Sequence, residues 1–340
     1  MIPFVMEKNP HRLKRLVIEP TYACNLRCYH CYVYRSARAV RRMAHIRDTR
    51  PVSFWQKVMQ SAPEDIHIHF TGGELFAYSE ILELLENAAS KFSFSISTNG
   101  TLLTPEVCYR LADLAPCRVT ISILGTETIH DSITGTAGSF RKAARAIEDL
   151  IQLLPTDRVS VNFVLLPENA SVVADVTKLV EELGATSLVI QLFDPALNRC
   201  GIVAGVEKIP PPDYLDWSSV DLASVIQMLD KVQHRASSEP AVLLASSMTP
   251  DETIDYVSGV FDVTQWTCAE VFDTMRCSPD GRVYACNGLE IGSLDLHGVP
   301  ELWHSQRFTA FRQAHLHSVL EPSCKGCCKI RRRSEGQVSQ

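Results

Sequence analysis

Short runs of β-branched and aromatic residues alternate with amphipathic stretches throughout residues 1–200. The predicted strands are 16–19, 66–70, 92–97, 118–123, 158–166 and 187–193. The predicted helices are 53–60, 79–90, 105–115, 139–153 and 171–183, with Gly184 as the cap that ends the last one. Strands that each lead into a helix form a parallel sheet with right-handed crossovers. Six such units are too few for a closed barrel of eight. The sequence therefore predicts an α/β fold, a partial (β/α)6 TIM-like barrel whose ligands lie at the carboxyl ends of the strands.

The twelve cysteines raise the question of how they are used. The chain has neither a long apolar run nor a signal peptide, so we expect a cytoplasmic protein without membrane contact. Disulfide frameworks are rare in that compartment, which favours metal or cluster binding. The net charge of −6 and the lack of interleaved basic and aromatic residues argue against nucleic acid as a partner.

The stretch CNLRCYHC begins shortly after the first predicted strand and carries Cys24, Cys28 and Cys31. This spacing allows three thiolates to converge on one small site. A structural zinc site usually has four protein ligands, and so does a closed [4Fe–4S] cluster. With three thiolates, one iron of a cluster stays open to another ligand. Zinc with a fourth ligand from elsewhere in the chain remains the alternative.

Three further motifs follow the cysteines in order: TGGE at 71–74, STNGT at 97–101 and SILGTETIHDSITGTAGSF at 122–140. Together with the Cys-x3-Cys-x2-Cys spacing, this set resembles the radical S-adenosylmethionine (radical SAM) enzymes. The resemblance implies that the open iron binds the methionine end of S-adenosylmethionine. A one-electron reductant such as flavodoxin or ferredoxin then allows cleavage to a 5′-deoxyadenosyl radical, which abstracts hydrogen from a substrate.

The same resemblance implies roles for individual residues. Gly72, Gly73 and Glu74 are expected to receive the methionine amino group, although TGGE could also be an ordinary tight turn. His30 replaces the family's usual aromatic residue and is expected to lie against the adenine. Contacts to the ribose or the carboxylate are expected from three polar residues at strand ends, for which simple capping is the alternative: Ser97, Asn99 and Ser122.

Residues 263–328 hold six of the twelve cysteines. WTCAEVFDTMRCSPDGRVYACNG, at 266–288, resembles the start of the auxiliary-cluster domains called SPASM and twitch, and Asp280-Gly281 predicts a hairpin turn. The resemblance implies one auxiliary [4Fe–4S] cluster, with a zinc ribbon as the alternative. Its expected ligands are Cys268, Cys286, Cys324 and Cys327, with Cys277 and Cys328 as alternates. We divide the chain into a radical SAM core at 1–200, a linker and helix at 201–262 and a twitch-like domain at 263–340.

The remaining candidates are single residues. Cys108 and Cys117 are expected to pack in the core. His67 and His69 alternate along one strand and share a face, where we expect strand histidines with satisfied hydrogen bonds. Asn162 is a possible substrate contact, as is Asp194.

The substrate is expected to be a ribosomally made peptide that the enzyme oxidises. Only about fourteen residues precede the first strand, which either weakens the peptide hypothesis or implies a separate recognition protein. The alternative is a dehydrogenase or epimerase that acts on a sugar, aminocyclitol or nucleoside in natural-product biosynthesis. In an epimerase, Cys200 would return a hydrogen atom; otherwise it is buried in the linker. A non-catalytic iron–sulfur or zinc scaffold is the alternative outside enzymes, and the retained TGGE argues against it.

Overall fold

A computed structural model describes residues 11–31, 33, 49–192, 216–233, 241–244, 248–257, 260, 264, 266–268, 270–285, 289–317 and 330–332. All six strands predicted in the first two hundred residues are present. They are β1 (Arg15–Ile18), β2 (His67–Phe70), β3 (Ser93–Thr98), β4 (Arg118–Ser122), β5 (Val159–Leu165) and β6 (Ser187–Leu192). Each pairs in parallel with the next, which confirms the partial barrel.

The five predicted helices are also present, and the structure adds a sixth among them. The helices of this part are α1 (Val52–Ser61), α2 (Ile81–Ala89), α3 (Pro105–Leu114), α4 (Glu127–Thr134), α5 (Ser139–Leu153) and α6 (Val173–Glu182). Helix α4 was not predicted, because it is short and mostly polar. It ends at Gly135, whose φ of +66° is a conformation that glycine adopts without strain. Gly184 has φ +80° just after α6, as expected for a residue that ends a helix.

The sheet extends beyond these six strands on both sides. The added strands are β7 (Ala241–Leu244), β9 (Thr274–Cys277), β10 (Arg282–Tyr284) and β11 (Glu290–Ser293). The order of the sheet is β11-β10-β9-β1-β2-β3-β4-β5-β6-β7. Strand β9 runs parallel to β1, and β10 turns back antiparallel to β9. Gly281, with φ +79°, confirms the predicted hairpin turn.

A separate two-stranded sheet pairs β8 (Trp266–Cys268) with β12 (Ile330–Arg332). The remaining helices of the described residues are α7 (Leu222–Gln233), α8 (Pro250–Val257), α9 (Val299–Trp303) and α10 (Gln306–His317). Strand β9, from the predicted cysteine-rich domain, thus continues the sheet of the predicted core. The boundaries at 200 and 262 stay a prediction.

The core lies between the sheet and the helices. Ile68 and Phe70 of β2 are completely buried, whereas His67 and His69 point to the opposite face. Cys108 is fully buried in the core, as predicted. The prediction for Cys117 is wrong: its side chain is exposed, because it lies just before β4 where the strand has not yet entered the helix-covered layer. No helix in the described ranges has the length and apolar character needed to cross a membrane.

Candidate functional site

The loop after β1 carries three cysteines that form no disulfide, all partly buried: Cys24, Cys28 and Cys31. A backbone hydrogen bond from the N–H of Cys31 to the carbonyl of Cys28, at 3.2 Å, tightens the second half of the loop. Burial, to which the charges of the neighbouring thiols add, raises the pKa of Cys24 to about 11 and that of Cys28 to about 12. Three thiols that affect one another's ionisation favour a partner of positive charge that can hold them as thiolates.

The three cysteines lie close enough to influence one another's ionisation, since Cys31 raises the pKa of both Cys24 and Cys28. No three histidine, cysteine, aspartate or glutamate side chains of the described residues form a group that could hold a single metal ion. In a four-iron cluster each thiolate binds a different iron, so its ligands surround the cluster instead of meeting at one atom. Three neighbouring thiols of one loop have the donor chemistry that such a cluster requires.

Two main-chain hydrogen bonds join the cysteine loop to the TGGE turn after β2. Gly73 donates its N–H to the carbonyl of Thr21 at 2.9 Å, and Glu74 donates to the carbonyl of Ala23 at 2.7 Å. A β-carbon at Gly73 would lie 2.4 Å from the Ala23 oxygen and 2.5 Å from the Tyr22 oxygen. Only glycine permits this approach of two backbones.

Gly72 is restricted in a second way. Its φ is +139°, and a β-carbon there would lie 2.4 Å from the Thr21 oxygen. The two glycines thus determine where the cysteine loop sits relative to the sheet. The structure gives TGGE a packing role in addition to any contact with a ligand.

The carboxylate of Glu74 is completely buried and accepts three hydrogen bonds from the protein. Its Oε1 accepts from the Thr98 hydroxyl at 2.6 Å and from the Phe76 N–H at 3.1 Å, while Oε2 accepts from the Asn99 N–H at 2.8 Å. Burial raises the pKa of Glu74, and the three donors act in the opposite direction. Glu74 therefore connects the turn after β2 to the end of β3.

Asn99 extends this connection to the cysteines. Its Nδ2 donates to Oδ1 of Asn25 at 3.0 Å and lies 3.8 Å from the sulfur of Cys24. Asn25 in turn donates to the Thr101 hydroxyl at 2.7 Å. Asn99 was predicted for the site, whereas Asn25 was missed although it stands inside the CNLRC motif.

Helix α4 supports the opposite side of the cysteine loop. The N–H groups of Arg27 and Tyr29 donate to the carbonyls of Thr134 and Ile133, at 3.0 and 3.3 Å. The Tyr29 hydroxyl also donates to Glu168 at 2.5 Å. The sequence marked residues 122–140 as a motif but did not show that this helix end contacts the loop.

Two polar residues of the same motif hold α4 and α5 in place. Asp131 accepts hydrogen bonds from the Gly138 N–H, the Ser139 hydroxyl and the Phe140 N–H, at 2.6 to 2.9 Å. His130 is buried and accepts from the Leu124 N–H at 3.0 Å. Asp131 and His130 thus position α4, which contacts the cysteine loop, and do not contact the cysteines themselves.

The other predicted cofactor contacts are His30, inside the cysteine loop, and two serines of the sheet. Burial lowers the pKa of His30 to about 4, so its ring is neutral and planar at pH 7. Ser97 lies near the end of β3, and Ser122 ends β4 opposite Asn162 of β5. Ser97 and Ser122 are therefore at the carboxyl ends of their strands, where the fold predicts ligands, whereas Asn162 lies in the middle of β5.

Below this rim, histidines and serines form a continuous hydrogen-bonded ladder across β2 and β3. His67 is bonded to Ser93 and Ser95, both at 2.7 Å. His69 is bonded to Ser95 at 2.8 Å and to Ser97 at 3.3 Å. Burial, and then the charge of Arg15, lowers the pKa of His67. The expectation of satisfied strand histidines is confirmed.

The auxiliary site is described only in part. Cys268 ends β8 and lies opposite Ile330 of β12. Cys277 is fully buried in the core face of β9. The other predicted residues lie outside the described residues: Cys286, Cys324, Cys327, Cys328, Cys200 and Asp194.

Comparison with protein families decides the identity of this site. Residues 18–180 match the radical SAM superfamily, and residues 268–328 match SPASM, an iron–sulfur cluster-binding domain. The chain belongs to the radical SAM superfamily. It binds S-adenosylmethionine at a [4Fe–4S] cluster and carries an auxiliary iron–sulfur cluster in its SPASM domain.

Two relatives match over most of their length. An AdoMet-dependent heme synthase of Nitratidesulfovibrio vulgaris is 27% identical over 91% of this chain and 84% of the relative. A PqqA peptide cyclase of Bradyrhizobium diazoefficiens is 24% identical over 92% of this chain and 78% of the relative. Among solved structures, Streptococcus suis SuiB bound to precursor peptide SuiA has a TM-score of 0.66 at 15% identity, covering 89% of this chain and 67% of that one. At this identity the likeness to SuiB shows the fold.

Proposed function

We propose that this radical SAM protein is an oxidoreductase that cleaves S-adenosylmethionine reductively and takes hydrogen from its substrate. The observation that carries this proposal is the loop of three cysteines, which accepts hydrogen bonds from Gly73 and Glu74 on one side and donates hydrogen bonds to α4 on the other. A scaffold has no need of a glycine turn set against three cysteines. When bound, S-adenosylmethionine and the clusters supply one-electron chemistry, namely the radical that abstracts hydrogen and an acceptor for the electron that the substrate loses.

The residues of the chain supply position and shape. Cys24, Cys28 and Cys31 would hold the cluster, and Gly72 and Gly73 would present backbone to the methionine amino group. The carboxylate of Glu74 has three protein donors, so we propose that it orients this backbone instead of meeting the amino group alone.

The predicted ribose and adenine contacts complete the assignment. Ser97, Asn99 and Ser122 lie along the same rim of the sheet, where ribose or carboxylate contacts are expected. The neutral ring of His30 would cover the adenine, since an uncharged planar side chain can stack on a base without desolvating a cation.

For the auxiliary cluster we propose Cys268, Cys286, Cys324 and Cys327. The pairing of Cys268 with Ile330 supports this set, because Ile330 follows Cys327 by only three residues in the sequence. The complete burial of Cys277 in the core supports its place as an alternate only. Four thiolates leave no open iron, so this site would accept an electron and not bind substrate.

We further propose that the substrate is a ribosomally made peptide and that the reaction is an oxidation, with flavodoxin or ferredoxin as the reductant. The PqqA peptide cyclase supports a peptide substrate. The heme synthase supports a second candidate, a small molecule, since it matches across 91% of the chain. Both candidates share the steps that remove hydrogen and one electron from a carbon centre.

The first test measures cluster content and cofactor cleavage. Anaerobic reconstitution should give about eight irons per chain, and the reduced protein should convert S-adenosylmethionine to 5′-deoxyadenosine. Replacing Cys24, Cys28 and Cys31 together by alanine should remove half of the iron and all cleavage. Cys117→Ala is the matched control, because this cysteine is exposed and far from the loop in sequence. Cleavage by the triple variant at the parent rate would refute the assignment.

The second test separates oxidation from epimerisation by mass spectrometry on candidate peptides and small molecules. An oxidised product is lighter by two hydrogen atoms and gains no deuterium in deuterated water. An epimerised product keeps its mass in ordinary water and gains one deuterium from an exchangeable thiol. Deuterium that appears in the parent's product and disappears with Cys200→Ala would overturn oxidation and make Cys200 the hydrogen donor.

A further inference from the structure

The histidine–serine ladder consists of five side chains of β2 and β3 on one face of the sheet: Ser93, His67, Ser95, His69 and Ser97. Both nitrogens of each imidazole ring are bonded to a serine hydroxyl. Nδ1 of His67 lies 2.7 Å from Ser93, and its Nε2 lies 2.7 Å from Ser95. Nδ1 of His69 lies 2.8 Å from Ser95, and its Nε2 lies 3.3 Å from Ser97. The chain of hydrogen bonds is therefore unbroken from Ser93 to Ser97.

The ladder connects the two ends of the sheet through a buried middle. Ser93 begins β3 and is exposed, whereas only 8% of Ser95 is exposed. Ser97 is half-buried and stands two residues before Asn99, a distance of about 7 Å along a strand. Nδ2 of Asn99 lies 3.8 Å from the sulfur of Cys24. One end of the ladder thus faces solvent at the amino ends of the strands, and the other end lies close to the residue that contacts the cysteine loop.

The hydroxyl of Ser95 couples the two histidines. A serine hydroxyl has one proton to donate, and a neutral imidazole has one N–H and one acceptor nitrogen. If Ser95 donates to Nδ1 of His69, it accepts from Nε2 of His67, and both rings carry their proton on Nε2. If Ser95 instead donates to His67, both rings carry their proton on Nδ1. A chain in which Ser95 donates once and accepts once therefore gives the two histidines the same tautomer.

The two arrangements of the ladder differ by the passage of one proton. When Ser97 accepts a proton at the upper end, each group passes its own proton to the next acceptor, and Ser93 releases one to solvent. Both rings change from the Nδ1–H to the Nε2–H tautomer, and no group is left with a charge. An imidazole suits this task because one nitrogen can accept a proton while the other gives one up.

The surroundings of the ladder favour neutral rings, as this passage requires. An imidazolium ring donates at both nitrogens and would interrupt the order of the chain. Arg15 of β1 lies opposite His67, and burial, followed by the charge of Arg15, lowers the pKa of His67. Cys117 lies 4.0 Å from Nδ1 of His67, and burial raises its pKa, so it stays an uncharged thiol at pH 7. His69 lies opposite the uncharged Val17 of β1.

We propose that the histidine–serine ladder is a proton relay that carries the proton released by substrate oxidation from the rim of the sheet to solvent. This inference rests on the proposed oxidation. Such a reaction transfers one hydrogen atom to the 5′-deoxyadenosyl radical, one electron to an iron–sulfur cluster and one proton to a base. The hydroxyl of Ser97, with His69 behind it, receives this proton. Ser97 is also a proposed contact of the ribose, whose 5′ carbon carries the radical. The carboxylate of Glu74 already accepts three hydrogen bonds and is less suited to the task.

The test measures how fast the ring proton of His69 exchanges with water, because this measurement needs no substrate. The full-length protein with oxidised clusters and isotope-labelled histidine is studied by nuclear magnetic resonance, with S-adenosylmethionine added to occupy the rim. His67→Gln keeps a donor and an acceptor but cannot pass a proton from one to the other. It should slow exchange at His69 about tenfold or more, since exchange then requires local opening of the structure. His69→Gln identifies the signal by its loss.

Two variants of Ser95 separate proton transfer from packing. Ser95→Ala removes the hydroxyl in the middle of the ladder and should slow exchange at His69 as much as His67→Gln does. Alanine is smaller than serine, so this variant also provides the test should the glutamine variant fail to fold. Ser95→Thr keeps the hydroxyl and should exchange close to the parent rate. His315→Gln is the matched control, because the ring of His315 is bonded to the carbonyl of Phe311 and not to the ladder.

The outcomes distinguish the relay from the proposed function. The same spectra report the tautomers, and opposite tautomers of His67 and His69 in the parent would overturn the relay. Equal exchange at His69 in the parent, His67→Gln and Ser95→Ala would overturn it as well. If the reduced parent forms no 5′-deoxyadenosine from S-adenosylmethionine, the proposed function fails, and the relay fails with it. Cleavage in the parent together with exchange that ignores both variants would refute the relay alone.

Discussion

Replacing Gly73 by alanine tests whether the glycine turn holds the cysteine loop. The new β-carbon would lie 2.4 Å from the Ala23 oxygen and 2.5 Å from the Tyr22 oxygen, both of them backbone atoms. No rotamer change relieves such a contact, because the obstacle is main chain on both sides. The loop must move away from the turn, and with it the thiols that begin at Cys24.

The size of the effect follows from two contributions. Overpacking of a tight site costs about 1–3 kcal/mol. The hydrogen bonds from Gly73 to Thr21 and from Glu74 to Ala23 would stretch or break, each a net loss of about 0.5–1.5 kcal/mol. We therefore expect the free energy of unfolding to fall by about 2–6 kcal/mol, a large part of the margin of an ordinary domain.

Urea unfolding of the cluster-free protein, followed by circular dichroism, measures this loss without any ligand. Gly298→Ala is the matched control. Its φ is −76°, and the nearest atom to a β-carbon there lies at 3.6 Å, an ordinary contact. It should change stability by less than about 0.5 kcal/mol. Equal unfolding midpoints for the two variants would refute the claim that Gly73 determines the position of the loop.

Three further predictions concern buried polar groups. Glu74→Gln places an amide nitrogen opposite a hydrogen-bond donor and should lower the free energy of unfolding by about 1–3 kcal/mol, measured by thermal unfolding without ligand. Unchanged stability would mean that Glu74 contributes only to ligand binding. Asp131→Ala should cost about 1–3 kcal/mol by the same assay, since three donors at the start of α5 lose their acceptor, and Asp131→Asn should recover part of it. Burial lowers the pKa of His130 to about 4, so below pH 6.5 the unfolded chain takes up a proton that the folded chain does not. Lowering the pH from 7 to 5 should therefore reduce the free energy of unfolding by about 2 kcal/mol in the parent but not in His130→Gln. Parallel curves of stability against pH for parent and variant would contradict this.

The strands and the cysteine loop could be predicted because their signals are local. IHIHF alternates apolar and polar residues, and that period alone places His67 and His69 on the face opposite Ile68. The order of CNLRCYHC, TGGE and STNGT along the strands placed the three motifs at one edge of the sheet, where the structure joins them through Glu74 and Asn99.

What escaped prediction depends on distant partners. Strand β9 has only four residues, and nothing in TMRC indicates that it pairs with β1. The sequence alone suggests that an acidic residue after two glycines is available to a ligand. In the structure the carboxylate of Glu74 instead accepts hydrogen bonds from Thr98, Phe76 and Asn99. Cys117 was expected in the core because cysteines are usually buried, but the exposure of its side chain depends on where the helices begin to cover the sheet.

The place of β1 between β2 and β9 has a consequence for how the chain folds during synthesis. The second edge of β1 is paired only after β9 has been synthesised, since Ile18 lies opposite Cys277, about 260 residues later in the chain. At about 5–20 residues per second, that edge stays open for roughly 13–50 s on the ribosome. An unpaired edge is a template for wrong pairing, and here it lies directly before the cysteine loop. Cluster insertion into the nascent chain therefore has to wait, or the open edge of β1 has to be covered, until the last third of the chain has left the ribosome.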